Sequence, residues 1–128
     1  MRVKFLSNLV VTPLKEADIG RRCWRIEQPL EVMIVGIDYL ALTQQRVTVP
    51  AGFVSDFASV PRLPLAYLLF GDHAHQAGVL HDYIYRQRLF PRAVCDRIFL
   101  AAMKGESVAW WRRWPMYAAV RLFGWTAY

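Results

Sequence analysis

The order of two hydrophobic patterns along the chain limits its fold more than any single residue does. Up to about residue 60, short apolar or alternating runs are separated by turn-forming residues, and beyond it apolar residues recur at helical spacing. Val3–Val11 is rich in apolar and β-branched residues, and Arg22–Glu27 alternates through Cys23, Trp24, Arg25 and Ile26. Leu30–Ile37 is a compact apolar run, with Tyr39–Leu42 and Arg46–Val49 as shorter candidates. Pro29, Gly36 and Pro50-Ala51-Gly52 punctuate these runs, as expected of antiparallel hairpins in a small sheet.

In the second half Pro61–Pro64 marks a turn, and Leu65–Phe70 suggests a short helix stopped at Gly71. Asp72 suits the cap of a helix from about His73 to Arg88. Pro91 suits the first turn of a second helix reaching about Lys104, with Gly105 as its stop. A third, apolar-basic segment runs from Val108 to Phe123, with Pro115 breaking or starting it. Strands followed by helices predict an α+β fold rather than a βαβ sheet. The expected order is N-terminal hairpins, then two antiparallel helices, then a C-terminal amphipathic helix. With 128 residues, one domain over 1–128 is expected, mostly β over 1–60 and mostly α over 61–128.

On the first of these helices Ala74, Ala77, Gly78, His81 and Tyr85 fall on one face. Small residues let a second helix approach closely, and on that helix Asp96, Phe99 and Met103 share a stripe. If the two pack antiparallel through the short Gln87–Arg92 connection, Asp96 faces His81. A carboxylate on one imidazole nitrogen sets the tautomer and stabilises the imidazolium, leaving the other nitrogen to take a proton from water. The same pairing is equally open to a structural reading, as an interhelix bond. Asp82 is expected at the helix edge, where a cation could bind. Asp56, in the junction Val49–Pro61, adds a second oxygen donor of the kind calcium prefers, or else closes a turn before Pro61.

The pieces VPAGFVSDFASVPR, VLHDYIY, AVCDRIFLAAM and MYAAVRLFGW cover over half the chain and are similar to an uncharacterised family of small phage and prophage proteins. That resemblance implies a phage or prophage origin, with a place in the host cytoplasm or the virion, and no activity. More loosely, His81-Asp82-x-x-Tyr85 with Asp96 resembles the phospholipase A2 superfamily, above all its bacterial and parvoviral members. By that resemblance His81 is the general base, Asp96 orients it, Tyr85 bonds behind it, and Asp82 and Asp56 ligate calcium. The implied chemistry is calcium-assisted hydrolysis of a phospholipid ester. The glycine-rich calcium loop and disulfide framework of the secreted animal enzymes are missing, and the expected N-terminal sheet departs from their mostly helical fold.

Other chemistries fit less well. His75-x-x-Gly78-x-x-x-Asp82 mimics the first metal motif of D-Ala-D-Ala metallopeptidases, but no histidine follows His81 to complete a zinc set. A His–Asp phosphohydrolase needs more histidines than His73, His75 and His81 supply. A non-enzymatic role as a tail, connector or host-interaction protein also fits a small phage protein.

Net charge is +6, and the basic residues concentrate beyond Arg86. Such a half attracts polyanions or is simply solvated. The run Trp110-Trp111-Arg112-Arg113-Trp114-Pro115-Met116-Tyr117, continued by Val120-Arg121-Leu122-Phe123-Gly124-Trp125, is expected to be a core-packing helix with its arginines in solvent; if part of it is exposed, Trp110, Trp111, Arg112, Arg113 and Trp114 above all, it suits a virion or host protein partner or an anionic phospholipid surface. Specific nucleic-acid binding is not expected, since no recognition motif is present. Cys23 and Cys95 lack zinc spacing, and buried free thiols are expected, with a single bridge between them as the alternative. The N-terminus MRVKFLSNLVV reads as a strand rather than a signal peptide. No apolar run approaches the ~18 residues of a transmembrane helix.

Overall fold

The structure is a computed structural model and describes residues 1–14, 23–36, 44–55, 75–126 and 128. The expected Tyr39–Leu42 strand, the Pro61–Pro64 turn, the Leu65–Phe70 helix and the Asp72 cap lie outside these residues. What is described is an α+β arrangement of two three-stranded antiparallel sheets followed by three helices.

The first sheet has the order β1 (Arg2–Phe5), β4 (Leu30–Val35), β5 (Gln44–Val49). Its register pairs Val3 with Ile34, Val32 with Val47 and Leu30 with Val49, so one face carries every buried side chain of the sheet. Each such aliphatic side chain contributes roughly 1.5–3 kcal/mol through burial. The second sheet has the order β2 (Val11–Leu14), β3 (Cys23–Ile26), β6 (Val54–Ser55).

Val3–Val11, expected as one strand, is divided between the two sheets. Ser7 marks the departure: its hydroxyl donates to the Pro29 carbonyl at 3.1 Å and accepts the Glu31 N–H at 2.8 Å. These bonds replace the ladder with a side chain that competes well for backbone groups. Pro13 then sits opposite Trp24 on the edge strand β2, where its missing N–H removes no interior ladder bond.

Helices α1 (His75–Gln87), α2 (Arg92–Gly105) and α3 (Trp110–Phe123) follow, with a 3-10 turn at Gly124–Thr126. Pro91 is the residue before α2 rather than within its first turn, and its carbonyl accepts the Val94 and Cys95 N–H groups. Gly105 is the last residue of α2 and not its left-handed stop. That position belongs to Ser107, at φ 61°, where the Ser107 N–H reaches the Lys104 carbonyl and the Val108 N–H the Met103 carbonyl. Gly105 serves packing instead, because a Cβ there would lie 2.8 Å from the Val3 carbonyl oxygen on β1. Arg88, at φ 49°, ends α1 by the same pair of bonds, its N–H to Tyr85 and that of Leu89 to Ile84. Pro115 neither starts nor breaks α3 but lies inside it, at an exposed position where the carbonyl it leaves unbonded can meet water.

Candidate functional site

Helix α1 turns its small-residue face inward. Ala77, Gly78, His81 and Tyr85 are all buried, and α2 packs against them through Cys95, Phe99 and Met103. The left-handed turn at Arg88 reverses the chain within a few residues, so the helices run antiparallel and Asp96 comes level with His81. His81 Nε2 lies 2.9 Å from Asp96 Oδ1, both side chains being fully buried. The imidazole is held between rings, its centroid 4.1 Å from that of Tyr85 and 4.6 Å from that of Phe99.

Asp96 is the centre of the cluster. Besides His81, its Oδ1 accepts the Tyr85 hydroxyl, and its Oδ2 accepts Arg121 Nη1 at 2.8 Å from α3. Burial on its own would raise the carboxyl pKa, but the bonds from His81, Tyr85 and Arg121 outweigh it and hold Asp96 below its ordinary value. Burial pushes His81 below its ordinary value although Asp96 pulls the other way, so the ring is neutral at pH 7. Burial, then the bond to Asp96, raises Tyr85 and keeps the phenol protonated. Burial likewise pushes the neighbouring Cys95 thiol up to about 12, so this cysteine is an inert core group. The expected burial of Cys95 is met; the side chain of Cys23 is outside the description.

Asp82 is not at an open edge. It is buried beneath β6, where Ser55 Oγ donates to its Oδ2 at 2.8 Å, and Arg86 Nε lies 3.3 Å from its Oδ1. The helix edge therefore does hold a cation, but it is the Arg86 guanidinium one turn on. Both carboxylate oxygens of Asp82 thus have protein partners. Asp56 lies outside the described residues, and no cluster of metal-ligating side chains occurs among the described ones.

Three residues of the cluster escape sequence reasoning: Ser55, Arg86 and Arg121. Arg121 carried a signal, being the one charged residue in the apolar run from Met116 to Trp125. Arg92 supports it, its Nη2 donating to the carbonyls of Val120 and Arg121 and so tying α2 to the end of α3. Arg113 Nη1 donates to the Val108 carbonyl at 3.2 Å, and Arg112 stacks 4.6 Å from the Trp111 ring centroid. The basic half is thus largely put to internal use. The Trp–Arg segment does pack on the core as a helix, through Met116 and Val120, but two parts of the expectation are corrected: Trp110, Trp111 and Trp114 are exposed, because α3 buries only one narrow stripe, and Arg121 reaches Asp96 rather than solvent alone.

Comparison with protein families matches residues 32–120 to the family described as "Protein of unknown function (DUF1353)". No curated protein and no solved structure matches the chain.

Proposed function

Because the chain belongs to the DUF1353 family, which is described by no function, we propose a role from the site itself: a phage or prophage hydrolase that cleaves a phospholipid ester at a phospholipase A2-like His–Asp pair. The observation that carries this reading is the buried trio in which Asp96 joins His81 Nε2 at 2.9 Å and also accepts the Tyr85 hydroxyl. In this reading His81, with Nε2 held by Asp96, takes the proton from an attacking water. The water oxygen adds to the ester carbonyl, and the imidazolium forms against a carboxylate already held ionised. Collapse of the tetrahedral intermediate breaks the ester bond. The proton then passes from His81 to the leaving alkoxide, giving an acid and an alcohol and restoring the neutral ring. No step is routed through calcium, since Asp82 is engaged by Ser55 and Arg86. The ground for a phage or prophage origin, and with it a place in the host cytoplasm or the virion, is the resemblance of the pieces VPAGFVSDFASVPR, VLHDYIY, AVCDRIFLAAM and MYAAVRLFGW to small phage proteins.

A second reading is a non-catalytic virion or host-interaction protein in which the cluster joins three helices. The complete burial of His81 and the engagement of Asp82 favour it. His81→Gln separates the two. The hydrolase reading expects wild type to release fatty acid from mixed phospholipid vesicles, and the variant to lose roughly 100-fold or more of that rate with its fold retained. Wild type without hydrolysis at pH 8, with calcium or with chelator, overturns the hydrolase reading. A large loss of melting temperature on the same substitution, with no activity to lose, establishes the structural one.

A further inference from the structure

Helix α3 is apolar on the side that faces away from the protein. Trp110, Trp114, Ala118 and Leu122 recur at four-residue spacing and all are exposed, with Trp111 beside them. The fractions are large for such residues: 67% for Trp110, 51% for Trp111 and Trp114, and 66% for Leu122. Trp125, in the turn that follows, is exposed to 66%. Scattered single hydrophobics on a surface are ordinary, whereas a continuous stripe on one helix marks a contact surface.

Charge narrows what that contact is. No acidic residue lies between Ser107 and Tyr128, while the half-buried Arg112 and Arg113 lie along this stretch; Arg121, paired inward with Asp96, is not counted with them. Lys104 is exposed just before the tryptophans, and Arg88, exposed too, donates to the Tyr128 carbonyl at the far end. A second copy of the same face would bring these cations together, which opposes self-association. A surface with an apolar interior and an anionic skin suits both features, since tryptophans settle at the level of lipid headgroups and arginines stay beside the phosphates. We propose that α3 docks in the plane of an anionic phospholipid bilayer, with Trp110, Trp111, Trp114 and Leu122 entering the headgroup region. Among the described residues no helix is long and apolar enough to cross a membrane, and the proposed contact is a peripheral one. It does not depend on the hydrolase reading.

The test is co-sedimentation with vesicles of phosphatidylglycerol and phosphatidylcholine, compared with phosphatidylcholine alone, while tryptophan emission is recorded. Binding is expected to be about tenfold or more tighter to the anionic vesicles, with a blue-shifted emission, and to weaken sharply in high salt. The exposed triple variant Trp110→Ser, Trp111→Ser, Trp114→Ser should keep the wild-type melting temperature and lose binding. Leu122→Glu, a single change, should weaken binding too and serves if the triple variant does not fold. Vesicle binding is scored on the wild-type protein separately from fatty-acid release, so a failed hydrolase leaves this result intact. Absence of sedimentation with anionic vesicles overturns the proposal. So does a dimer that the tryptophan substitutions dissolve, which would give the face to a second copy, or binding that ignores both lipid charge and the substitutions.

Discussion

At the scale of single residues, Asp96 matters most because three donors from three positions converge on it. Removing Arg121 (Arg121→Met) leaves Oδ2 without its cation; with the arginine about a third exposed, the expected cost is about 1–2 kcal/mol, seen as an earlier denaturation midpoint. Gly124 is constrained by the same cluster, since a Cβ there would lie 2.9 Å from the Tyr85 hydroxyl oxygen, which Asp96 holds in place. Gly124→Ala is therefore expected to destabilise by about 1–3 kcal/mol. Tyr85→Phe in the same chain should recover part of this, and an additive double mutant would rule out the contact. The downward displacement of the His81 pKa has a kinetic consequence. A general base must be neutral, so the acid limb of the rate profile should fall below the ordinary histidine range; a limb at or above pH 6.5 would contradict it. Cation binding at Asp82 has its own check. If calcium competes with Arg86 there, millimolar calcium should raise the melting temperature of Arg86→Gln more than that of wild type, and equal responses would remove calcium from this carboxylate.

At the scale of elements, the helix ends control how the site is assembled. Ser107 occupies a left-handed position that costs a residue with a Cβ roughly 1 kcal/mol. Ser107→Gly should raise stability by about that amount, measured by chemical denaturation, provided the turn between α2 and α3 is the one described. The start of α1 is held by Glu106, whose Oε1 accepts the Ala77 N–H at 2.6 Å. Burial raises this carboxyl from 4.5 to about 7, the backbone bonds opposing that rise only in part. Since the folded state keeps its proton to higher pH than the unfolded state, the group's stabilising contribution is complete below 4.5 and declines as pH rises through about 7. Glu106→Gln should lack that decline, so its melting temperature should gain on wild type between these limits; parallel profiles would deny the shift. Comparison with wild type is needed because depressed groups such as His81 and Asp96 lose stability in the opposite direction, as pH falls. The element pattern itself was largely readable. Alternation located β3, short apolar runs located β4 and β5, and helical spacing with its stop signals located all three described helices within a few residues. The division of Val3–Val11 between two sheets was not readable, because Ser7 draws its partners from Pro29 and Glu31, more than twenty residues away.

For the whole molecule, the functional statement concerns how a buried cluster and an exposed helix face are carried by one helix. Arg121 reaches inward to Asp96 from the same α3 that presents Trp110, Trp114 and Leu122 outward. Substitutions that undock α3 should therefore affect both. Arg92→Met, which removes the bonds to the Val120 and Arg121 carbonyls, is expected to lower stability and vesicle binding together. If Arg92→Met weakened the fold without touching vesicle binding, the face would not depend on the docking of α3.

Periodicity along the sequence was enough to determine an α+β order, the inward face of α1, and the pairing of His81 with Asp96 across a short connection, because each depends on spacing within a helix or on a turn of few residues. The partners of Asp82, the fourth member at Asp96 and the outward turn of the tryptophans were decided by tertiary structure alone. Those depend on which distant surfaces meet: β6 brings Ser55 to Asp82, and α3 brings Arg121 to Asp96. An apolar-basic helix offers more than one apolar stripe, and composition does not say which one meets the core. Packing against α2 settles it for Met116 and Val120 and leaves the larger aromatic side chains outside.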